Sequence, residues 1–165
     1  METEIANATL KALRRVLRAA EGGSRKLAVA TGLTPSQMLV LREIDAQPAG
    51  TPGAIARQLQ FSQATITAIV DRLVALDLAA RTRSDRDKRQ ILLSTTAEGR
   101  RRVAEAPDML QEIFTGRFGA LPPWEQAMIL ASTERLAALL GAAEMDAAPL
   151  LDSGAIDRAG AADLA

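Results

Sequence analysis

Apolar residues recur at helical spacing along most of this 165-residue chain, and the spacing shortens to alternation over one brief stretch. In residues 2–20, Leu10, Leu13, Leu17 and Ala20 share a face with Arg14, Arg15 and Arg18 between them, and Gly22-Gly23 predicts an interruption of this first helix. A second helix opens at Thr34-Pro35-Ser36-Gln37, where Thr34 can cap, Pro35 suits the first turn and Gln37 occupies the capping-box position. Met38, Leu41 and Ile44 then recur on one face until Pro48 and Gly50 stop it. Thr51-Pro52 opens a short third helix with Ile55 and Leu59 inward, followed by a Gln60-Phe61 corner. Ser62 caps a fourth helix in which Ile66, Ile69, Val70, Leu73 and Leu76 form a buried stripe. Its opposite face carries Gln63, Thr67, Asp71 and Arg72, with small Ala64 and Ala68 beside them.

After Leu78 the period changes. Residues 79–83 and 90–94 predict two short strands around the charged turn Ser84-Asp85-Arg86-Asp87-Lys88-Arg89. Thr95 or Thr96, with Glu98 close behind, opens another helix through Arg100, Arg101 and Arg102. Pro107 interrupts it before Met109, Ile113, Phe114 and Phe118, and Pro122-Pro123 precede a last helix with Trp124, Met128, Leu136, Leu139 and Leu140 on its apolar face. From Gly141 onward the chain is rich in Ala and Asp and weakly patterned, and no internal repeat is present. The predicted fold is mainly α with a small β-hairpin wing. A winged helix-turn-helix over residues 34–103 is flanked by dimerisation helices in residues 1–33 and 104–141, in one intertwined domain with a tail over 142–165.

Composition narrows the chemistry. The absence of Cys excludes disulfides, thiol nucleophiles and zinc–thiolate sites, and the absence of His removes the imidazole base and the commonest metal ligand. Three Phe, one Trp and no Tyr leave an aliphatic core. Enzymatic readings reduce to paired carboxylates, or to a Lys or Ser acting without imidazole. The nearest candidates, Asp85 with Asp87 and Asp71 with Glu98, sit among Arg and Lys that lower their pKa values rather than raise one for acid catalysis. The expectation is a non-enzyme without cofactor or metal. With no signal-peptide pattern and no apolar stretch of spanning length, it is also expected to be soluble, cytoplasmic and without a membrane partner.

Charge adds what periodicity omits. Twenty basic residues balance twenty acidic ones, but residues 51–103 hold ten basic against five acidic, and residues 104–165 hold three against ten. A basic middle third is the footprint of a surface that neutralises phosphates. A short helix, a tight corner, a second amphipathic helix and a basic hairpin in series then assign roles on duplex DNA. The start of the fourth helix suits the major groove: Gln63 offers a paired donor and acceptor, typically to adenine, and Thr65 and Thr67 offer hydroxyls or a methyl. Ser62 and the free amides around it can hold a phosphate, and Ala64 and Ala68 permit close approach. Arg72 completes this candidate face. Arg81, Arg83, Arg86, Lys88 and Arg89 make the hairpin a candidate for a narrow minor groove, and Asp87 can steady the turn by pairing with Arg89. Gln63 and Thr67 also fit as ordinary exposed helix residues. The run Arg100, Arg101 and Arg102 fits phosphate contact or a solvated face equally, and Trp124 reads as a packing anchor.

Leu33-Thr34-Pro35-Ser36-Gln37, the run Ser62-Gln63-Ala64-Thr65-Ile66-Thr67 continuing to Asp71-Arg72-Leu73, and Asp85-Arg86-Asp87-Lys88-Arg89 before Thr95-Thr96-Ala97-Glu98-Gly99 resemble the MarR family. The resemblance covers about residues 5–141 and is most specific over 62–99. It implies a homodimer with intertwined terminal helices, a recognition helix in the major groove and a wing in the flanking minor groove. Arg89 falls at the family's wing arginine and Asp87 at its paired acid. The family commonly represses transcription and often releases DNA when a small-molecule effector binds between the two lobes. Within it, Ala106-Pro107, Trp124-Glu125-Gln126 and Met145-Asp146-Ala147-Ala148-Pro149-Leu150 are similar to repressors of compatible-solute (ectoine) synthesis. The missing Cys and His depart from the peroxide-sensing and zinc-responsive branches. Dimerisation also follows from the apolar faces of the terminal helices, which a chain of this size cannot cover alone. The rival is a winged-helix protein-interaction module without DNA, which would be favoured by loss of the basic excess in residues 51–103.

Overall fold

A computed structural model describes residues 2–144 of the chain. The compatible-solute-like segment from Met145 and most of the expected tail lie outside the described residues. The element order is α1 (Glu2–Thr31), α2 (Pro35–Ala46), α3 (Pro52–Leu59), α4 (Gln63–Ala75), β1 (Ala79–Arg83), β2 (Ile91–Thr95), α5 (Ala97–Glu105), α6 (Leu110–Gly119) and α7 (Pro123–Leu139).

One boundary differs by a third of a helix. Gly22-Gly23 does not interrupt α1, which continues to Thr31 and ends at Gly32 in the left-handed region, φ 71°. A glycine costs roughly 1 kcal/mol against alanine in a helix interior but leaves the backbone ladder intact. Burial of Leu27 and Thr31 at the far end outweighs that cost. The Gly32 stop is the ordinary left-handed helix ending. The other caps fall where expected. Gln37 N–H donates to Thr34 Oγ1 at 3.3 Å and Thr34 N–H to Gln37 Oε1 at 3.1 Å, a reciprocal capping box that opens α2. Ala54 N–H donates to Thr51 Oγ1 at 3.2 Å at the start of α3.

The core lies among α2, α3, α4 and the hairpin. Met38, Val40, Leu41, Ile44, Ile55, Ile66, Val70, Leu73 and Leu93 are fully buried there. The strands are antiparallel, with register from Ala79 opposite Thr95 to Arg83 opposite Ile91, so β2 begins one residue later than its apolar run suggested. A bridge between Gly50 and Leu93 ties the hairpin to the α2–α3 connection. Thr96, not Thr95, caps α5. Its Oγ1 accepts from Gly99 N–H at 3.0 Å and donates to the Asp77 carbonyl at 2.7 Å. Gly99 is obligatory by close approach, because a Cβ there would lie 2.0 Å from the Leu78 carbonyl oxygen.

The helices outside this lobe are different. No described residue of α6 or α7 is buried. Trp124 is 67% exposed, so among the described residues it does not serve as the packing anchor its residue type suggests. Ile5 and Leu17 of α1 and Met128, Leu130 and Leu139 of α7 are also open to solvent.

Candidate nucleic-acid interface

The corner between α3 and α4 is built from one left-handed residue and one buried ring. Gln60 takes φ 57°, and Phe61, buried beneath it, donates its N–H to the Ala56 carbonyl at 3.0 Å. This turns the chain so that α4 starts beside α3. Ser62 Oγ accepts the Thr65 N–H at 3.0 Å and is hydrogen-bonded to Thr65 Oγ1 at 2.8 Å. Thr67 Oγ1 donates back to the Gln63 carbonyl at 2.8 Å, leaving its lone pairs and methyl group outward.

Gln63, Ala64, Thr67, Ala68 and Arg72 are exposed together along one face of α4, while Ile66, Ile69, Val70 and Leu73 are buried on the other. The Gln63 side chain lies across the first turn of α3, where a Cβ on Gly53 would come within 2.9 Å of its Nε2. Gly53 therefore leaves the room that Gln63 occupies. Sequence inspection missed this, since Gly after Pro at a helix start reads only as a weak helix former.

The wing is a hairpin with an internally satisfied turn. Ser84 is buried, and its Oγ accepts the N–H groups of Arg86 and Asp87, both at 3.3 Å. Asp87 Oδ1 accepts the Arg89 backbone N–H at 3.0 Å, and Gln90 N–H donates to the Asp87 carbonyl at 2.8 Å. Asp87 thus holds the backbone of Arg89. The expected pairing with the Arg89 guanidinium is not formed, which leaves that charge outward. Ser84 is the turn's keystone and was passed over in the sequence, although Ser two and three residues before amide donors is the signal of a side-chain-mimicked turn.

The five wing cations divide. Arg81 pairs across to Asp71 of α4 at 2.5 Å, joining the base of the wing to the exposed helix. Arg83, Arg86, Lys88 and Arg89 are exposed and make no ion pair with a described residue. The α5 arginines are internal fasteners. Arg100 donates to the Thr95 carbonyl at 2.9 Å, and Arg101 pairs with Glu98 and Glu105. Arg102 pairs with Glu98 at 2.8 Å and donates to the Thr31 carbonyl at the end of α1. Hydrogen bonds from Arg101 and Arg102 hold the Glu98 carboxyl down to about 2. Of the two readings left open for this run, the geometry favours neither a free phosphate grip nor an idle solvated face.

A second fastener joins the lobe to α6. Arg42 of α2 pairs with Glu112 and donates to the Pro107 carbonyl at 3.4 Å, while Glu112 also accepts the Met109 N–H at 2.9 Å. Partial burial pushes the Glu112 carboxyl up, and the bonds from Arg42 and Met109 outweigh it, so its pKa falls below the usual value. Next to this, a cavity of about 20 Å³ lies among Gly23, Leu27, Pro35, Met109 and Gln111, room for about one water. Among the described residues no group of three or more acidic, His or Cys side chains is placed to hold a metal ion.

A three-helix lobe with α4 outward, a basic hairpin beside it and long flanking helices defines a winged helix-turn-helix protein. The MarR family model matches residues 31–90. The HTH-type transcriptional repressor MdtR of Bacillus subtilis is 35% identical over 68 residues, 41% of this chain and 44% of MdtR, so the chain matches less than half the length of that curated relative. Among solved structures, the transcriptional repressor CouR bound to a 23-mer DNA duplex is 30% identical with a TM-score of 0.54, covering 79% of this chain and 89% of CouR. Bordetella bronchiseptica BpsR, whose DNA binding is regulated by 6-hydroxynicotinic acid, is 25% identical with a TM-score of 0.53, covering 79% of this chain and 98% of BpsR. The chain belongs to the MarR family.

Proposed function

We propose that this chain is a homodimeric, sequence-specific duplex-DNA-binding regulator that represses transcription. The observation that carries this reading is the shared exposure of the α4 face and of Arg83, Arg86, Lys88 and Arg89, with no ion pair to a described residue spending those four charges. Gln63, with Ala64, Thr67, Ala68 and Arg72, reads base edges in the major groove. Ser62, Thr65 and the free amides of the first turn of α4 hold a phosphate. Arg83, Arg86, Lys88 and Arg89 follow the backbone into the minor groove, with Asp87 and Ser84 fixing the turn. Arg81 is moved from the contact set to the wing's support, since Asp71 already holds it. Residues 34–103 form the DNA-binding region, and residues 1–33 with 104–141 the dimerisation region.

CouR bound to duplex DNA supports the ligand class, and the repressor MdtR supports the sign of regulation. The protein is not an enzyme on this reading. Of the carboxylates weighed for catalysis, Asp71 pairs with Arg81, and Glu98 pairs with Arg101 and Arg102, which suits structure and not acid catalysis. Among the described residues no helix is long and apolar enough to cross a membrane. A small-molecule effector, as named for BpsR, would have to part α1, α2 and α6, because the cavity there holds about one water.

Two recognition helices reading half-sites about 34 Å apart call for a pseudo-palindromic operator. The test is selection of bound sequences from a random duplex pool, followed by titration at several salt concentrations. Arg89→Ala should weaken binding to all sequences and reduce the salt slope by about 1, while Gln63→Ala should mainly relax preference at one or two positions. Enrichment of no sequence, with no gel shift at low salt, would overturn the proposal.

A further inference from the structure

The wing is not the molecule's only unspent positive surface. On α1, Lys11, Arg14, Arg15, Arg18, Arg25 and Lys26 recur at spacings of three, four and seven, so at about 100° per residue they line one side of the helix. All six are exposed, and none forms an ion pair with a described residue. The apolar residues Ile5, Leu13, Val16, Leu17, Ala20 and Leu27 lie on the opposite side. A second copy packed on the apolar side therefore leaves the cationic side uncovered. The α5 arginines show how this protein treats cations that serve its own fold, because each is matched by a carboxylate or a carbonyl. The α1 cations form no ion pair among the described residues, where Glu4 and Glu21 are the acids nearest that side, two against six.

The chain supplies a candidate match beyond them. Residues 145–165 contain Asp146, Asp152, Asp157 and Asp163 against the single cation Arg158, a net charge of −3. The described chain also ends in the right place. The C-terminal half of α7 runs beside the N-terminal half of α1, with Thr9, Ser132, Leu136 and Leu139 lining one shared groove. A second groove, on the opposite side of α1 and about one helix width away, is lined by Asn7, Lys11, Arg14, Arg15 and Arg18. The cationic stretch from Lys11 to Lys26 is about 22 Å long at 1.5 Å per residue, and a 21-residue segment spans up to about 70 Å. Tethering this close keeps the acidic segment at a high effective concentration.

We infer that the acidic segment 145–165 docks on the cationic side of α1 of its own chain and masks it. The occupant is the chain's own segment, chosen by complementary charge, adjacency of its point of departure and sufficient reach. The consequence is selectivity between two positive surfaces: α1 is neutralised from within, and the α4–wing face is left to meet external polyanions. The contact is electrostatic and solvent-facing, so it weakens as salt shortens the screening length from roughly 30 Å at 0.01 M to 3 Å at 1 M. It does not depend on whether the wing binds DNA.

The test is zero-length carbodiimide crosslinking of the intact chain, which joins carboxylates to amines, followed by peptide mass spectrometry. Lys11 and Lys26 are the reporters on α1. The expected result is crosslinks from residues 145–165 to Lys11 or Lys26, at least several-fold fewer in high salt. The R14Q/R15Q/R18Q variant should lose them while keeping its helical circular dichroism, since these side chains are exposed. In a mixture of isotopically light and heavy protein the linked peptides should be of one isotope. Mixed-isotope links would assign the segment to another copy, and links from Lys11 to Glu125 or Glu134 would assign the face to another copy's helices. Absence of tail links would leave the face open to other partners, with added duplex DNA shielding Lys11 as one form of that result. Each of these three outcomes overturns the inference.

Discussion

The winged lobe and the long helices around it are written in the same helical code and end in opposite states. In the lobe, Met38, Leu41, Ile44, Ile66 and Leu73 have no exposed surface at all. In α1 and α7, Ile5, Trp124, Leu130 and Leu139 keep 59–68% of theirs. The difference is one of company. Helices α2, α3 and α4 close on each other and on the hairpin, whereas among the described residues α6 is tied to the rest by the Arg42–Glu112 pair and a few contacts with α1, and nothing in α6 or α7 is buried. Burying one large aliphatic side chain is worth roughly 1.5–3 kcal/mol, so an open row of them is a strong drive to self-association. The lobe is complete in one chain. The arms are half of a structure whose other half is a second copy, as proposed above.

That contrast can be broken most sharply at its buried end. Leu73→Ala removes a fully buried side chain from the middle of α4 and should cost roughly 2–5 kcal/mol, at any protein concentration. Leu130→Ala, on a side chain 59% exposed, should leave the lobe's intrinsic stability nearly unchanged and act through assembly. Urea unfolding across a hundred-fold range of protein concentration separates the two. A Leu73→Ala loss that vanished at high concentration would mean that the lobe, too, is completed by its partner.

The second way to sharpen the contrast acts on the arms alone. The double substitution Leu130→Asp and Leu139→Asp places charge on the open face of α7 and should raise the dimer dissociation constant at least about a hundred-fold, or about 2.7 kcal/mol. Sedimentation velocity reads the change. The hairpin and α4 should stay folded by heteronuclear NMR, because neither residue packs on the lobe's core. A dimer of unchanged affinity would show that some other surface covers the arms.

How much of this was legible beforehand follows the same division. The lobe announces itself in sequence because its signals are local: Thr34-Pro35-Ser36-Gln37, Thr51-Pro52 and Ser62 are caps, and the stripe from Ile66 to Leu73 is a period. What escaped depends on distant partners. Gly22-Gly23 looked like a break because local propensity cannot register Leu27 and Thr31 locked under α2 and α5. Trp124 reads as an anchor because a residue type does not reveal that the described residues leave it two-thirds exposed. At the candidate interface, the exposed α4 face was legible from period alone. The reassignment of Arg81 was not, since Asp71 lies ten residues away across an intervening turn. Gly99 sat inside a recognised motif, and its reason appears only when the Leu78 carbonyl is found where its Cβ would be.

Arg81 and Asp71 offer a third, smaller test, now within the lobe. Their pair is exposed, so Asp71→Asn should cost only about 0–1 kcal/mol of stability. Its effect on DNA should be larger in proportion, because the pair fixes the wing's angle to α4. If Arg81 is a support, Asp71→Asn and Arg81→Gln should weaken operator binding by similar factors and the double variant by little more, a non-additive cycle. If Arg81 instead grips phosphate, Asp71→Asn should strengthen binding by freeing it. Fluorescence anisotropy titrations of the four proteins at one salt concentration decide between these outcomes.

The smallest expected effect lies in the fastener that joins lobe to arm through α5. Glu98 is held down to about 2 by hydrogen bonds from Arg101 and Arg102, and Arg102 in turn reaches the Thr31 carbonyl at the end of α1. A carboxyl whose pKa is depressed in the folded state contributes its full stabilisation above the unfolded value near 4.5, and loses it as pH falls toward 2. Neutral and mildly acidic solutions should therefore leave the fastener intact, and the decline should fall between about pH 4.5 and 2. Glu98→Gln removes the titrating group. The variant should be less stable than the parent at pH 7, and the two curves should converge as the pH falls through that window. The side chain is a third exposed, which keeps the gap small and makes it shrink with added salt. Thermal melts at low ionic strength from pH 7 to pH 2 measure it. Parallel curves with a constant gap would show that Glu98 acts through its shape and its position in the first turn of α5, and that its charge contributes nothing to holding α1 against the lobe.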